Sequence, residues 1–229
     1  MKTPKPMSRS LRALARLLGY PDAELRAHLD ELRLALRAEA ALTPERSAEV
    51  GALIDSIAAQ DALDAEADYV QLFDSGRRTS LHLFEHVHGD SRDRGPAMID
   101  LAQTFEKAGL YLAEGEMPDH LPVVLEYAST QPPGEARAFL AEMAHILNVI
   151  FSALQQRGSR YASALGALIE LAGEKAAAVT LPDEEALDDS WAEPAAFDGC
   201  STAGQARPGQ PQPIQIQRKP HGNAAGARP

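Results

Sequence analysis

Two histidine-bearing stretches and one aromatic stretch of this 229-residue chain hold the side chains best placed for chemistry. The first is Ser80-Leu81-His82-Leu83-Phe84-Glu85-His86-Val87-His88. His82, Glu85 and His86 fit H-x-x-E-H, in which two histidines sharing a helix face ligate zinc and the glutamate beside them is a general base. The pattern fixes only three residues, and no glutamate-bearing motif for a third ligand stands downstream. A helix–loop junction in which the histidines hydrogen-bond and Leu81, Leu83 and Phe84 pack accounts for the same residues without metal. The expectation is no metal site and no catalytic residue, with a zinc-dependent hydrolase as the alternative.

The second stretch is Glu114-Gly115-Glu116-Met117-Pro118-Asp119-His120-Leu121-Pro122. An aspartate between a proline and an apolar run is a natural N-cap, which would leave His120 exposed on the first turn. The functional reading is that Glu116, Asp119 and His120 form a polar rim beside Leu121, Val124 and Leu125, suited to a basic amphipathic peptide. The third stretch is Asp68-Tyr69-Val70-Gln71-Leu72-Phe73-Asp74. Its Tyr69, Leu72 and Phe73 share a helix face and read as core, or as one wall of a groove. The chain has no phosphate-cradling glycine loop and no G-x-S-x-G elbow. Its single cysteine, Cys200, has no nearby histidine to activate it.

The elements that must position these residues read as helices. Leu11, Leu14, Leu17 and Leu18 form one stripe, and Leu25, Leu29, Leu32 and Leu36 form a second behind Pro21-Asp22. Thr43-Pro44 starts a helix over 44–60, and others are expected over 62–74 and 97–113. Asp119 opens one through about Ala128. Phe139, Leu140, Met143, Ile146, Leu147, Ile150, Phe151 and Leu154 form one broad face, and Tyr161 through Leu171 the last helix. No segment alternates with period two. The expected fold is all-α, a single bundle of about eight helices over residues 1–198.

Residues 199–229 hold five Gly and five Pro, and four bases with no acid. They read as a disordered basic tail. Residues 1–18 carry five bases and no acid, so the body between holds 13 bases and all 33 acids, a net of −20. Such a surface repels phosphate backbones, which argues against nucleic acid, and attracts a basic partner. No apolar run approaches a membrane span, Arg12 and Arg16 interrupt any secretory leader, and the expected location is the cytoplasm. Trp191 and Phe197, behind the acidic run Asp183 to Asp189, are expected to fold back on the bundle.

The order and spacing of Tyr69 to Asp74, of Ser80 to Gly95 and of Pro118-Asp119-His120-Leu121-Pro122 resemble the molybdenum-cofactor assembly chaperones of respiratory nitrate reductase, the NarJ-like or delta-subunit family. Leu17-Leu18-Gly19-Tyr20-Pro21 is similar too, and the likeness runs over about residues 8–198. The resemblance implies a cytoplasmic helical chaperone with no stably bound cofactor. Its client would be the catalytic (alpha) subunit of nitrate reductase, alone or with the beta subunit. The chaperone would hold the N-terminal segment of that subunit while molybdenum cofactor and an iron–sulfur cluster are inserted, before membrane docking. Asp119 and His120 are then the first candidates for peptide contact, with Glu116 beside them and Tyr69, Phe73, Leu121, Val124 and Leu125 as groove residues. A general acidic helical adaptor is the remaining alternative.

Overall fold

The computed structural model describes residues 5–89 and 91–179. These form eleven helices: α1 (Ser8–Leu17), α2 (Ala23–Ala27), α3 (Leu29–Glu39), α4 (Pro44–Ala59), α5 (Ala62–Phe73), α6 (Leu83–Val87), α7 (Arg94–Lys107), α8 (Leu121–Thr130), α9 (Pro133–Glu142), α10 (Ala144–Gln156) and α11 (Ala162–Ala172). Among the described residues there is no strand, only one isolated antiparallel bridge between His82 and His120. The fold is all-α, as the sequence implies. The expected tail, the domain boundary after residue 198, and Trp191 and Phe197 lie outside the described residues.

The core is organised around α11, where nine of eleven side chains are buried. Small residues at Ala164, Gly166, Ala167 and Ala172 let neighbouring helices approach it closely, and α4, α9 and α10 surround it. On the other side α1 buries Leu11, Leu14 and Leu17 against α8 and α3. No single described helix is long and apolar enough to cross a membrane.

Two of the local start signals, at Asp22 and Thr43-Pro44, act as the sequence predicts, and Asp61 does the same for α5. The Asp22 carboxylate accepts from the Leu25 N–H at 2.7 Å, Thr43 Oγ1 from Arg46 at 3.3 Å with Pro44 at the first position, and Asp61 from Leu63 at 2.9 Å. The count of eleven rather than eight has three causes. The second stripe breaks at His28, whose ψ of 10° leaves helical geometry and whose Nδ1 meets the Glu24 carbonyl. The broad face from Phe139 to Leu154 is two helices bent by 65° at Met143, so its apolar residues wrap the core instead of lying along one line. The third cause is α6, five residues long and too short to show a period. The helix expected over 97–113 instead stops at Lys107, where Gly109 turns the chain at φ 80°; Leu110 and Leu112 pack on the core from the following loop.

An aromatic cluster ties α5 to the start of α11. Tyr69 meets Phe73 at 4.8 Å, Phe73 meets Tyr161 at 5.1 Å, and Tyr20 lies edge-on to Tyr69 at 5.6 Å. The buried Tyr69 hydroxyl donates to the Leu18 carbonyl at 2.8 Å, fixing the turn after α1. Burial raises the pKa of both Tyr69 and Tyr161, so both rings stay neutral. Tyr69→Phe leaves that carbonyl without its partner and is expected to lower unfolding free energy by about 1–2 kcal/mol in urea titration, without altering the helical circular-dichroism spectrum.

Candidate functional site

Asp119 is an acid with no exposed surface. A buried carboxylate must be paired or hydrogen-bonded, and Asp119 is both. Its Oδ2 accepts from the Phe84 N–H at 3.2 Å and lies 3.7 Å from the Arg94 guanidinium; its Oδ1 lies 3.3 Å from His82 Nδ1. Backbone bonds lace the same two segments together: Leu83 N–H donates to the Asp119 carbonyl at 3.0 Å and Leu121 N–H to the Leu81 carbonyl at 2.8 Å.

This arrangement corrects the expectation that Asp119 caps its own helix. The N-cap of α8 is His120, and no side chain bonds there. The Asp119 carboxylate instead supplies the N-terminal turn of α6, 35 residues earlier in the chain, where the free N–H groups and the helix dipole favour an anion. It also disposes of the zinc geometry. His82 precedes α6 in an extended conformation (ψ 102°), so it does not share a helix face with His86. His86 Nε2 meets the Ser80 carbonyl at 2.9 Å, and Glu85 pairs with Arg94 at 3.6 Å. Among the described residues no group of three His, Cys, Asp or Glu could hold a metal.

His120 is half-buried, not exposed, and stacks on His82 with ring centroids 5.1 Å apart and planes 27° apart. The two rings are pushed in opposite directions. The hydrogen bond from Asp119 raises the pKa of His82 against the cost of burial. Burial lowers the pKa of His120, helped by His82 and opposed by Asp119, Glu116 and Asp74. The pair therefore favours one charged and one neutral ring.

The other expected residues divide. Leu121, Val124 and Leu125 have no exposed surface and belong to the core, as do Tyr69 at 6% and Phe73 at 4%. They cannot touch a peptide directly in this conformation. Glu116 is exposed, accepts from the Ala113 N–H at 3.2 Å, and borders a cleft of about 420 Å³ whose apolar lining is Phe105, Leu110, Leu112, Val123 and Tyr127. Sequence reasoning missed Arg94 and this cleft. The signal for Arg94 was its place in the stretch 80–95, where it is the first residue of α7.

Asp119→Ala leaves the Phe84 N–H, His82 and Arg94 without their partner and is expected to cost about 3 kcal/mol in denaturant unfolding; Asp119→Asn, which keeps an acceptor, should cost less. The histidines give a pH test. A raised folded-state pKa stabilises below the unfolded value of about 6.5, and that contribution is lost as pH rises through the folded value. For His82→Gln the stability deficit against wild type should therefore widen as pH falls from 7 to 5. For His120 the sign is opposite, so the difference between His120→Gln and wild type should move in favour of the variant over the same range. Parallel behaviour of the two variants would mean that the stacked rings are not oppositely perturbed.

Comparison with known proteins places these features in a group. The chain is 45% identical over 190 residues to the nitrate reductase molybdenum cofactor assembly chaperone NarJ of Escherichia coli, covering 79% of this chain and 80% of that one. It is 34% identical over 193 residues to NarW of the same organism, covering 80% of each. The fold is shared with the crystal structure of a redox enzyme maturation protein from Archaeoglobus fulgidus, with a TM-score of 0.52 at 20% identity over 76% of this chain and 98% of that one. The nitrate reductase delta subunit family matches residues 18–166. The chain belongs to the nitrate reductase delta subunit family, a family of assembly chaperones and not of enzymes.

Proposed function

We propose that this protein is the dedicated chaperone of a respiratory nitrate reductase. It binds the N-terminal segment of the catalytic subunit in the cytoplasm, alone or with the beta subunit already attached. It then keeps that subunit open for insertion of molybdenum cofactor and an iron–sulfur cluster, and releases it before docking at the membrane. The observation that carries this reading is the 45% identity to NarJ over most of both chains. The cofactor is cargo passing to the client, and the chaperone itself catalyses nothing.

The physics of the chain supports the reading. Residues 19–198 carry a net charge of −20, which attracts a basic segment from solution and fixes its orientation. Asp119 acts in this scheme by holding His82 and His120 in place, and His120 and Glu116 are the groups of the expected rim with surface to offer. Ordering a flexible peptide costs several kcal/mol, which sets affinity in the micromolar range and allows release.

Calorimetric titration of the purified protein with a synthetic N-terminal peptide of the cognate catalytic subunit should give saturable binding near 1:1. Raising salt from 50 to 500 mM should weaken it several-fold, since pairs between exposed charges are screened. His120→Ala should weaken binding, while Asp119→Asn should do so only through the histidine it positions. The reading fails if neither the peptide nor the whole subunit binds and nitrate reductase matures normally in cells lacking the protein.

A further inference from the structure

Helix α5 carries two apolar stripes, and only one of them is used by the fold. Ala65, Tyr69 and Phe73 are buried, as the core requires. On the other side Leu63 is 74% exposed, Val70 is 40% exposed and Ala67 is exposed as well. Residues 63, 67 and 70 follow one another at i, i+4 and i+7, so they form a single outward stripe where a surface helix is ordinarily polar. Tyr20, 46% exposed, extends this patch: its ring lies against Tyr69 and its hydroxyl donates to Glu66 at 3.0 Å.

Acids flank the stripe along α5. Residues 61–74 contain Asp61, Asp64, Glu66, Asp68 and Asp74 and no base. Asp64 and Asp68 stand at i, i+4, where like charges repel, and Asp74 sits at the C-terminal end of α5, where the helix dipole disfavours an anion. The Tyr20 phenol is held above its ordinary pKa by partial burial and then by Glu66, which also accepts its hydrogen bond, and by Asp22 and Asp74. Tyr20, Val70 and Asp74 all fall within the sequence stretches that resemble the family, yet none of the three is buried in the core.

We propose that the outer face of α5, with Tyr20 at its edge, is the docking surface for a basic amphipathic helix of the client, which lays its apolar side on Leu63, Ala67 and Val70. The cations of that helix meet Asp64, Glu66 and Asp74. A second copy of this chain is a poor occupant, because a two-fold contact here would set five acids against the same five. Phosphate-bearing partners are repelled for the same reason. This proposal rests on the chaperone reading above and assigns its contact surface.

The test titrates the full chain and its variants with the same N-terminal peptide of the catalytic subunit, after circular dichroism has shown that each variant keeps its helices. Leu63→Glu combined with Val70→Glu should weaken binding at least tenfold. Asp64→Lys combined with Asp74→Lys should weaken it about fivefold and flatten its salt dependence. Leu34→Glu, a comparably exposed leucine on α3, should leave it unchanged. Equal affinity of wild type and the Leu63/Val70 variant overturns the assigned surface while the chaperone reading stands. Absence of binding by wild type to both peptide and whole subunit defeats that reading itself. Sedimentation showing a wild-type dimer that Val70→Glu dissolves would assign the face to self-association, and tighter peptide binding after removal of residues 199–229 would assign it to the basic tail; either result overturns the proposal.

Discussion

A single buried carboxylate sets the terms for this end of the molecule. Asp119 lies where water cannot solvate it, so the fold must bring it donors, and it does so from the Phe84 backbone, the His82 ring and the Arg94 guanidinium. Those three groups come from the end of a loop, a five-residue helix and the start of α7. Leu81 and Leu83 are buried in the core, but α6 is far below the length at which a helix holds in isolation. The stretch 80–94 is therefore ordered by the burial of Leu81 and Leu83 together with the partners it supplies to Asp119. The stacked histidines inherit their opposite electrostatic bias from this arrangement.

The same device recurs elsewhere in the bundle. The Glu39 carboxylate at the end of α3 accepts from the Arg9 and Ser10 N–H groups at 3.1 and 2.7 Å, capping α1 from a distant element. Glu170 on α11 accepts from the Thr43 N–H at 2.6 Å and from its hydroxyl, fixing the start of α4. Part of the strong acidity of this chain is thus structural, satisfying helix starts across the fold. The acids of α5 are different. Asp64 lies in the first turn of α5 and Asp74 at its C-terminal end, both on the exposed surface.

The helical architecture was legible because its signals are local. Asp22, Thr43-Pro44 and Asp61 announce helix starts within three residues of the groups they bond, and the stripes of α1, α4 and α11 repeat at helical spacing. Breaks that lack glycine or proline were not legible: His28 and Met143 interrupt continuous leucine patterns by backbone geometry alone. The site was half legible. Asp119 and His120 stood out by type and neighbourhood. The true partner of Asp119 lies 35 residues away, so neither the local cap nor the exposed rim foresaw a buried carboxylate. Leu121, Val124 and Leu125 show why apolar residues beside a polar motif are ambiguous. Periodicity states which residues share a face, but only tertiary packing states whether that face looks inward.

Helix α7 stands apart from all of this. Of its fourteen residues only Phe105 is fully buried, resting on Tyr127 with centroids 4.8 Å apart, while Arg94 ties its first turn to Asp119 and Glu85. In the language of hydrogen exchange, α11 should exchange only with global unfolding, whereas α7, held by Phe105, Leu101 and the ion pairs of Arg94, should open at lower cost. Tyr127 and Val123 can in this way be uncovered and covered again within the lifetime of a native bundle, so plasticity at the cleft costs the molecule little of its overall stability.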